Sequence, residues 1–311
     1  MPVTLLQAPP AEAIDAVPPA WAFWLMWGVV PMAAVLLGLL AATGVLSLRK
    51  LERSPKREVG LTWIDALMGV WLWFVGSLLV SVVLRLAASG STTNQEGAQA
   101  VEAVADVSIS PTDLLIAQVG AFGLPLAYWL WKSSRTNGYA AALGIKPRSL
   151  PRELQWTLLG LPAIVLLFLA TQQVSAMVSL MLGYPPPQVQ HTLLETYAEL
   201  RDDGDVATML GLLLSTVVFA PVLEELFHRG FLQTALVRTF GPSLRWLAIV
   251  CVSVFFAVIH LGAVPWVALP ALILLGVCFG FLYERTGSLW PPILVHAGFN
   301  AINVAYVLAL V

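Results

Sequence analysis

Two adjacent glutamates, Glu224 and Glu225, stand in the middle of an almost unbroken apolar stretch from Leu210 to Leu236. Nearly all other acids of the chain lie in polar loops or near the ends of hydrophobic runs. A charged side chain at the centre of a bilayer costs at least ~2.5 kcal/mol, so a carboxylate pair at such a place marks a functional site. Arg229 follows Glu225 by four residues, on the same helix face, where an ion pair keeps Glu225 charged. Glu224 points about 100° away around the helix and is left without that partner. The spacing assigns support to Glu225 and Arg229 and chemistry to Glu224.

Three further polar residues sit in apolar runs close by. His260 ends the run that contains Phe256, and it lies about as far beyond the Gly241-Pro242 turn as Glu224 lies before it. An antiparallel hairpin would bring the two to similar depth. A carboxylate and an imidazole sharing one water make a general-base assembly. His296 and Asn300, four apart in the last run, share a face, and both can donate hydrogen bonds to the oxyanion of a tetrahedral acyl intermediate. Taken singly, an intramembrane histidine reads as a hydrogen-bonding residue at a helix interface. Together with the glutamate pair, the set reads as amide hydrolysis inside the membrane.

The elements that must hold these residues are transmembrane helices. The chain is 59% hydrophobic and 11% charged, with a mean hydropathy of +0.83, against about 25% charged residues in soluble domains. Long apolar runs give about eight spans: 21–46, 62–84, 114–131, 156–182, 206–227, 244–261, 264–283 and 289–310. The expected fold is all-α, a polytopic transmembrane helix bundle. Its expected surroundings are membrane lipid, with no nucleic-acid partner.

Orientation follows from the basic residues. Arg49, Lys50, Arg53, Lys56 and Arg57 follow the first span, Lys132, Arg135, Lys146, Arg148 and Arg152 the third, Arg238 and Arg245 the fifth, and Arg285 the seventh. The opposite loops hold only Arg85 and Arg201. The positive-inside rule then places both termini outside, in a multi-pass protein of a bacterial-type plasma membrane. Acids in 86–112 and 184–205 agree, and Trp21, Trp63, Trp131, Trp156, Trp246 and Trp290 fall at span ends as interface anchors. The first 20 residues have no Lys or Arg, which argues against a cleaved signal. Cys251 and Cys278, each inside a span, are expected as buried thiols without a disulfide. Glu284 and Arg285 read as interface charges, and His191 as a solvated loop residue.

The chain divides near residue 205. Residues 1–205 carry four spans with long polar connections, including the Gly/Ser/Thr/Gln-rich 89–112; residues 206–311 carry four spans joined by short turns, a compact helical core. One mismatch needs a structural device. His296 enters its span by only about nine residues, roughly 13 Å of helix, whereas Glu224 and His260 lie deeper. A break at Gly230, laying 231–240 along the cytoplasmic interface, is expected to level them.

At these residues the chain resembles the CPBP family of intramembrane endopeptidases, which includes the Ras-converting-enzyme type of CAAX protease. The family's glutamate pair with an arginine stands as Glu224-Glu225-Leu226-Phe227-His228-Arg229, its phenylalanine-to-histidine motif as Phe256 to His260, and its third motif as His296-Ala297-Gly298-Phe299-Asn300. The resemblance covers roughly 206–305. It implies that Glu224 and His260 activate a water, that His296 and Asn300 hold the oxyanion, and that the substrate is a membrane-associated or lipidated protein or peptide. It also leaves two catalytic types open. No cofactor is the favoured expectation, because Asn300 beside His296 suits an oxyanion hole; a zinc enzyme would take Glu224, His260 and His296 as ligands. An ion- or proton-coupled transporter using Glu224, His260 and His296 as a relay, and a non-catalytic immunity or scaffold protein, are the competing functions. A relay has no evident use for Asn300, and a scaffold none for buried carboxylates.

Overall fold

A computed structural model describes residues 20–47, 51, 60–91, 110–135, 140, 143–147, 149–184, 197, 200 and 205–310. The loop basic residues Arg49, Lys50, Arg53, Lys56 and Arg57, the loop residue His191 and most of 89–112 lie outside the described residues, as does the side chain of Trp21. Among the described residues the fold is an all-α bundle of eight helices: α1 (Ala20–Ala42), α2 (Trp63–Ser91), α3 (Pro111–Ser134), α4 (Leu150–Met181), α5 (Val206–Phe240), α6 (Arg245–Val258), α7 (Leu269–Thr286) and α8 (Trp290–Leu310). Five of them, α2 to α5 and the α7 segment, are long and apolar enough to cross a membrane, and the described parts of α1 and α6 are shorter apolar helices. Their outer faces carry exposed Leu, Val, Trp and Phe side chains in quantity, such as Trp71, Phe74, Leu158 and Leu159, as lipid contact requires and water does not tolerate in large patches. The protein is an integral membrane protein.

Two apolar cores flank the carboxylates. Phe122, Leu126 and Trp129 of α3 pack on Phe227, Phe231 and Leu232 of α5 and Val252 of α6. Ile164 of α4 packs on Leu275, Phe279 and Leu282 of α7 and on Val295 and Phe299 of α8. At the start of α2, Asp65 closes a cap by accepting from the Thr62 N–H at 2.7 Å and from its hydroxyl at 2.8 Å, and it reaches across to Lys132 of α3 at 2.7 Å. Cys251 is on the exposed face of α6 rather than buried, because a lipid-facing position tolerates a thiol as well as a core does; Cys278 is partly buried, and both are free.

α5 does not break at Gly230. It is continuous from Val206 to Phe240 but widens twice, through π-helical segments at Ser215–Phe219 and Leu226–Gln233. Gly230 serves another purpose: a Cβ there would meet the Trp129 ring at 3.0 Å and Leu289 at 3.4 Å. α8 thus begins beside Gly230, well before α5 ends, so His296 needs little depth to reach the glutamates. The overhang of α5 does what a break was expected to do.

α6 and α7 meet at Gly276, where an added Cβ would lie 2.9 Å from the Ser253 Cβ and 3.0 Å from its Cα. A methyl there pushes backbone against backbone. Gly276→Ala is expected to destabilise the bundle by about 1–3 kcal/mol, read as a lowered midpoint in thermal or denaturant unfolding of the detergent-solubilised protein.

Candidate active site

The glutamate pair lies between the two π segments, and the path of α5 decides what each carboxylate meets. Glu225 is wholly buried. Its Oε1 accepts from Arg229 Nη1 at 2.9 Å and from His296 Nδ1 at 2.9 Å. Arg229, also buried, sends Nη2 to the Gly276 carbonyl of α7 at 2.9 Å and lies over the rings of Phe256 at 5.1 Å and Phe279 at 5.3 Å. The pairing read from the four-residue spacing is present, with a histidine added that the spacing did not announce.

A carboxylate oxygen only accepts, so Nδ1 of His296 carries the hydrogen. The ring is further held by stacking on Phe279, with centroids 4.7 Å apart and planes at 25°. Nε2 is then the nitrogen turned to Glu224, 3.9 Å from its Oε2. That separation is too long for a hydrogen bond, and the buried Glu224 Oε2 has no hydrogen-bond partner among the described residues. Glu224 and His296 are therefore brought close without a hydrogen bond between them, while Glu225 holds two donors on one oxygen.

His260 lies one turn beyond Phe256 and donates from Nδ1 to the Phe256 carbonyl at 2.7 Å. It makes no hydrogen bond to Glu224. The Phe256 ring touches both His260, at 4.7 Å between centroids, and His296, at 6.1 Å, so the two imidazoles flank one aromatic ring. Asn300 donates from Nδ2 to the Thr216 carbonyl at 2.9 Å. The cause lies in the first π segment. The Ala220 N–H reaches back to Ser215, and the next donor in that pattern would serve Thr216, but residue 221 is proline and has none. Asn300 takes the carbonyl that Pro221 leaves open. An amide carries two N–H groups, and the second is uncommitted to Thr216.

Among the described residues no three His, Cys, Asp or Glu side chains come together as metal ligands. No step below passes through a metal. Glu284, expected at the interface, is fully buried; it pairs with Arg245 of α6 and accepts from Gln233 Nε2 at 3.0 Å. Asn303 donates within its own helix, to Phe299 at 2.8 Å, and takes no part. His228, a variable position of the first motif, is fully buried beside Glu224; only its place one turn after a catalytic candidate could have signalled that.

Removing one partner of a buried ion pair leaves an uncompensated charge, at a cost of about 3–5 kcal/mol. Arg229→Met is accordingly expected to lower the yield and unfolding midpoint of the protein sharply. The double variant Glu225→Gln/Arg229→Met should recover most of that loss, as a double-mutant cycle in unfolding measurements would show.

Residues 206–302 match the family model for type II CAAX prenyl endopeptidase Rce1-like proteins. No curated protein and no solved structure matches the chain. The matched segment begins with α5 and spans the three motifs through Asn300, so the geometry just described is the part of the chain on which the match rests. Over this Rce1-like segment, less than half of the chain, the match supports the resemblance to the CPBP family of intramembrane endopeptidases.

Proposed function

We propose that the protein is a glutamate-type, metal-independent intramembrane endopeptidase in which Glu224 is the general base. The observation that carries this reading is the contrast within the pair: Glu225 is wholly buried with Oε1 bound by Arg229 and His296, its Oε2 lacking a partner as that of Glu224 does, while Glu224 receives neither donor, keeps 14% exposure and has Oε2 3.9 Å from His296 Nε2. Glu224 takes a proton from water as the water oxygen attacks the scissile carbonyl carbon. The π electrons of that carbonyl move to its oxygen, which becomes the oxyanion. His260, anchored through Nδ1, shares the activation of the water through Nε2. His296, held through Nδ1, and the second N–H of Asn300 stabilise the oxyanion as hydrogen-bond donors. When the carbonyl re-forms, the C–N bond breaks and the proton held by Glu224 goes to the leaving amine.

The family match adds the substrate class. A type II CAAX prenyl endopeptidase model points to a prenylated or otherwise lipid-anchored peptide, and a site set among membrane helices receives such a chain with its anchor still in the bilayer. Both termini are taken to face outward on the strength of the basic loops, and reporter fusions at residues 1 and 311 that are active only in the non-cytoplasmic compartment would agree.

The test is cleavage of a quenched membrane-peptide library, prenylated and unprenylated, by the purified protein. Glu224→Gln should abolish turnover, a loss of at least about 10²-fold, and His296→Phe or Asn300→Ala should each lower kcat by roughly 10²–10³-fold. Exhaustive chelation should leave the rate unchanged; loss on chelation with rescue by zinc would make it a metalloenzyme, and undiminished cleavage by Glu224→Gln would remove Glu224 as base.

A further inference from the structure

The bond from Asn300 to the Thr216 carbonyl has a neighbour in Tyr197, a residue that precedes α5 and lies outside the segment matched by the family model. Tyr197 has no exposed surface. Its ring packs with Leu212 of α5 and Val304 of α8. Leu212 comes four residues before Thr216 and Val304 four after Asn300, so each lies one turn from an end of that bond. The ring is a wedge in the joint between the two helices, and its Oη donates to Thr216 Oγ1 at 3.1 Å. Thr216 thus accepts two bonds from outside α5, on its hydroxyl from Tyr197 and on its carbonyl from Asn300.

Packing alone does not call for the Tyr197 hydroxyl. A phenylalanine would fill the same apolar cluster, whereas a buried tyrosine needs a partner for its O–H. The use for it arises at the Thr216 carbonyl. Inside a regular helix a carbonyl is held by the N–H four residues on. In Ser215–Phe219 the ladder is widened: the Ala220 N–H goes to Ser215, and Pro221 has no hydrogen to give to Thr216. The direction of that carbonyl is then set by whatever holds the widened turn, and both hydroxyls of the turn are tied to residues outside α5. Ser215 Oγ donates to Gln118 Oε1 of α3 at 3.1 Å, and Thr216 Oγ1 accepts from Tyr197.

We infer that Tyr197 is a positioning residue for Asn300: it holds Thr216, whose carbonyl takes one N–H of the Asn300 amide and so aims the other. The inference rests on the reading of Asn300 as an oxyanion donor. Both N–H groups belong to one amide nitrogen, so a carbonyl that fixes the first also fixes the direction of the second. Without the Tyr197 bond the turn and the amide shift together, and the second N–H leaves the line to the oxyanion. Tyr197 acts through Thr216 alone and takes no part in proton transfer.

Kinetics with one cleaved membrane peptide test this. Tyr197→Phe keeps the wedge and removes its hydroxyl; Thr216→Val keeps the carbonyl and removes the acceptor beside it. Each is expected to lower kcat by about 10-fold, as misplacing a catalytic group does, with KM at the wild-type value because the oxyanion forms only on the way to the transition state. The double variant Tyr197→Phe/Thr216→Val should be no slower than either single one, since both remove the same bond. The decisive comparison is with Asn300→Ala. In that background Tyr197→Phe should leave the residual kcat unchanged, because no amide is left to aim. Wild-type kcat in Tyr197→Phe overturns the inference, and so does a loss of equal size with and without Asn300, which is what a general loss of stability produces. Asn300→Ala cleaving at the wild-type rate removes instead the oxyanion reading itself, whereas a slow Asn300→Ala beside a fully active Tyr197→Phe removes only the role given to Tyr197.

Discussion

Arg229 is the group that the arrangement of α5 to α8 depends on. A guanidinium with no exposed surface needs its donors met within the bundle, and the fold meets Nη1 with Glu225 one turn back on α5 and Nη2 with the Gly276 carbonyl on α7, leaving Nε without a partner among the described residues. Its face is covered by Phe256 from α6 and Phe279 from α7. His296 of α8 joins through the same Glu225 oxygen. Each of the four helices therefore contributes at least one contact to a single buried charge pair, and shifting α5, α7 or α8 along its axis leaves a charge or a donor unmet. The planar fork of arginine makes this possible; a lysine ammonium has neither the two divergent donors nor the flat face that lies over aromatic rings.

The constraint is repeated one turn further along. Glu225, Arg229 and Gln233 form a stripe at four-residue intervals on α5, facing Gly276, Gly280 and Glu284 at the same interval on α7. Gln233 Nε2 donates to the Gly280 carbonyl at 3.0 Å and to Glu284, and Glu284 pairs with Arg245 of α6. Helix carbonyls are normally screened by the side chains around them, and the two glycines of α7 remove that screen: a Cβ on Gly280 would stand 2.6 Å from Gln233 Oε1. The close approach of α5 and α7 is thus made by small residues and held by polar ones, the combination by which membrane helices associate where lipid offers no hydrophobic gain.

The sequence made the helical class, the spans and the Glu225–Arg229 pair legible because each depends on local pattern: apolar run length in the first case and a four-residue interval in the second. The remainder depends on which residue of one helix stands beside which residue of another. The bond from His296 Nδ1 to Glu225 joins positions far apart in the chain. Glu284 looked like an interface charge because it ends an apolar run, yet Arg245 and Gln233 bury it. Gly230 looked like a helix breaker because glycine permits a break; its actual use, room for the Trp129 ring, is visible only once α3 is in place. Pro221 was an overlooked signal. A proline within a continuous helix leaves a carbonyl open upstream, and a side chain from elsewhere, here Asn300, can take it.

The distinction between the two glutamates shows how little separates structure from chemistry at this site. They have the same side chain and the same helix, and they differ by one position, about 100° of rotation. That rotation places Glu225 in the polar stripe, where one oxygen receives two donors, and takes Glu224 out of it, with 14% of its side chain still exposed. A fold selected only for stability would gain by giving Oε2 of Glu224 a donor or by replacing the residue with an apolar one, since buried acceptors without partners cost free energy. In the proposed reaction that cost is retained for a purpose: a base already tied by strong hydrogen bonds is a poor acceptor for another proton. Arg229 and His296 tie up one oxygen of Glu225 within the polar stripe, and in the proposed reaction it is therefore Glu224, free of both donors, that takes the proton from the nucleophile.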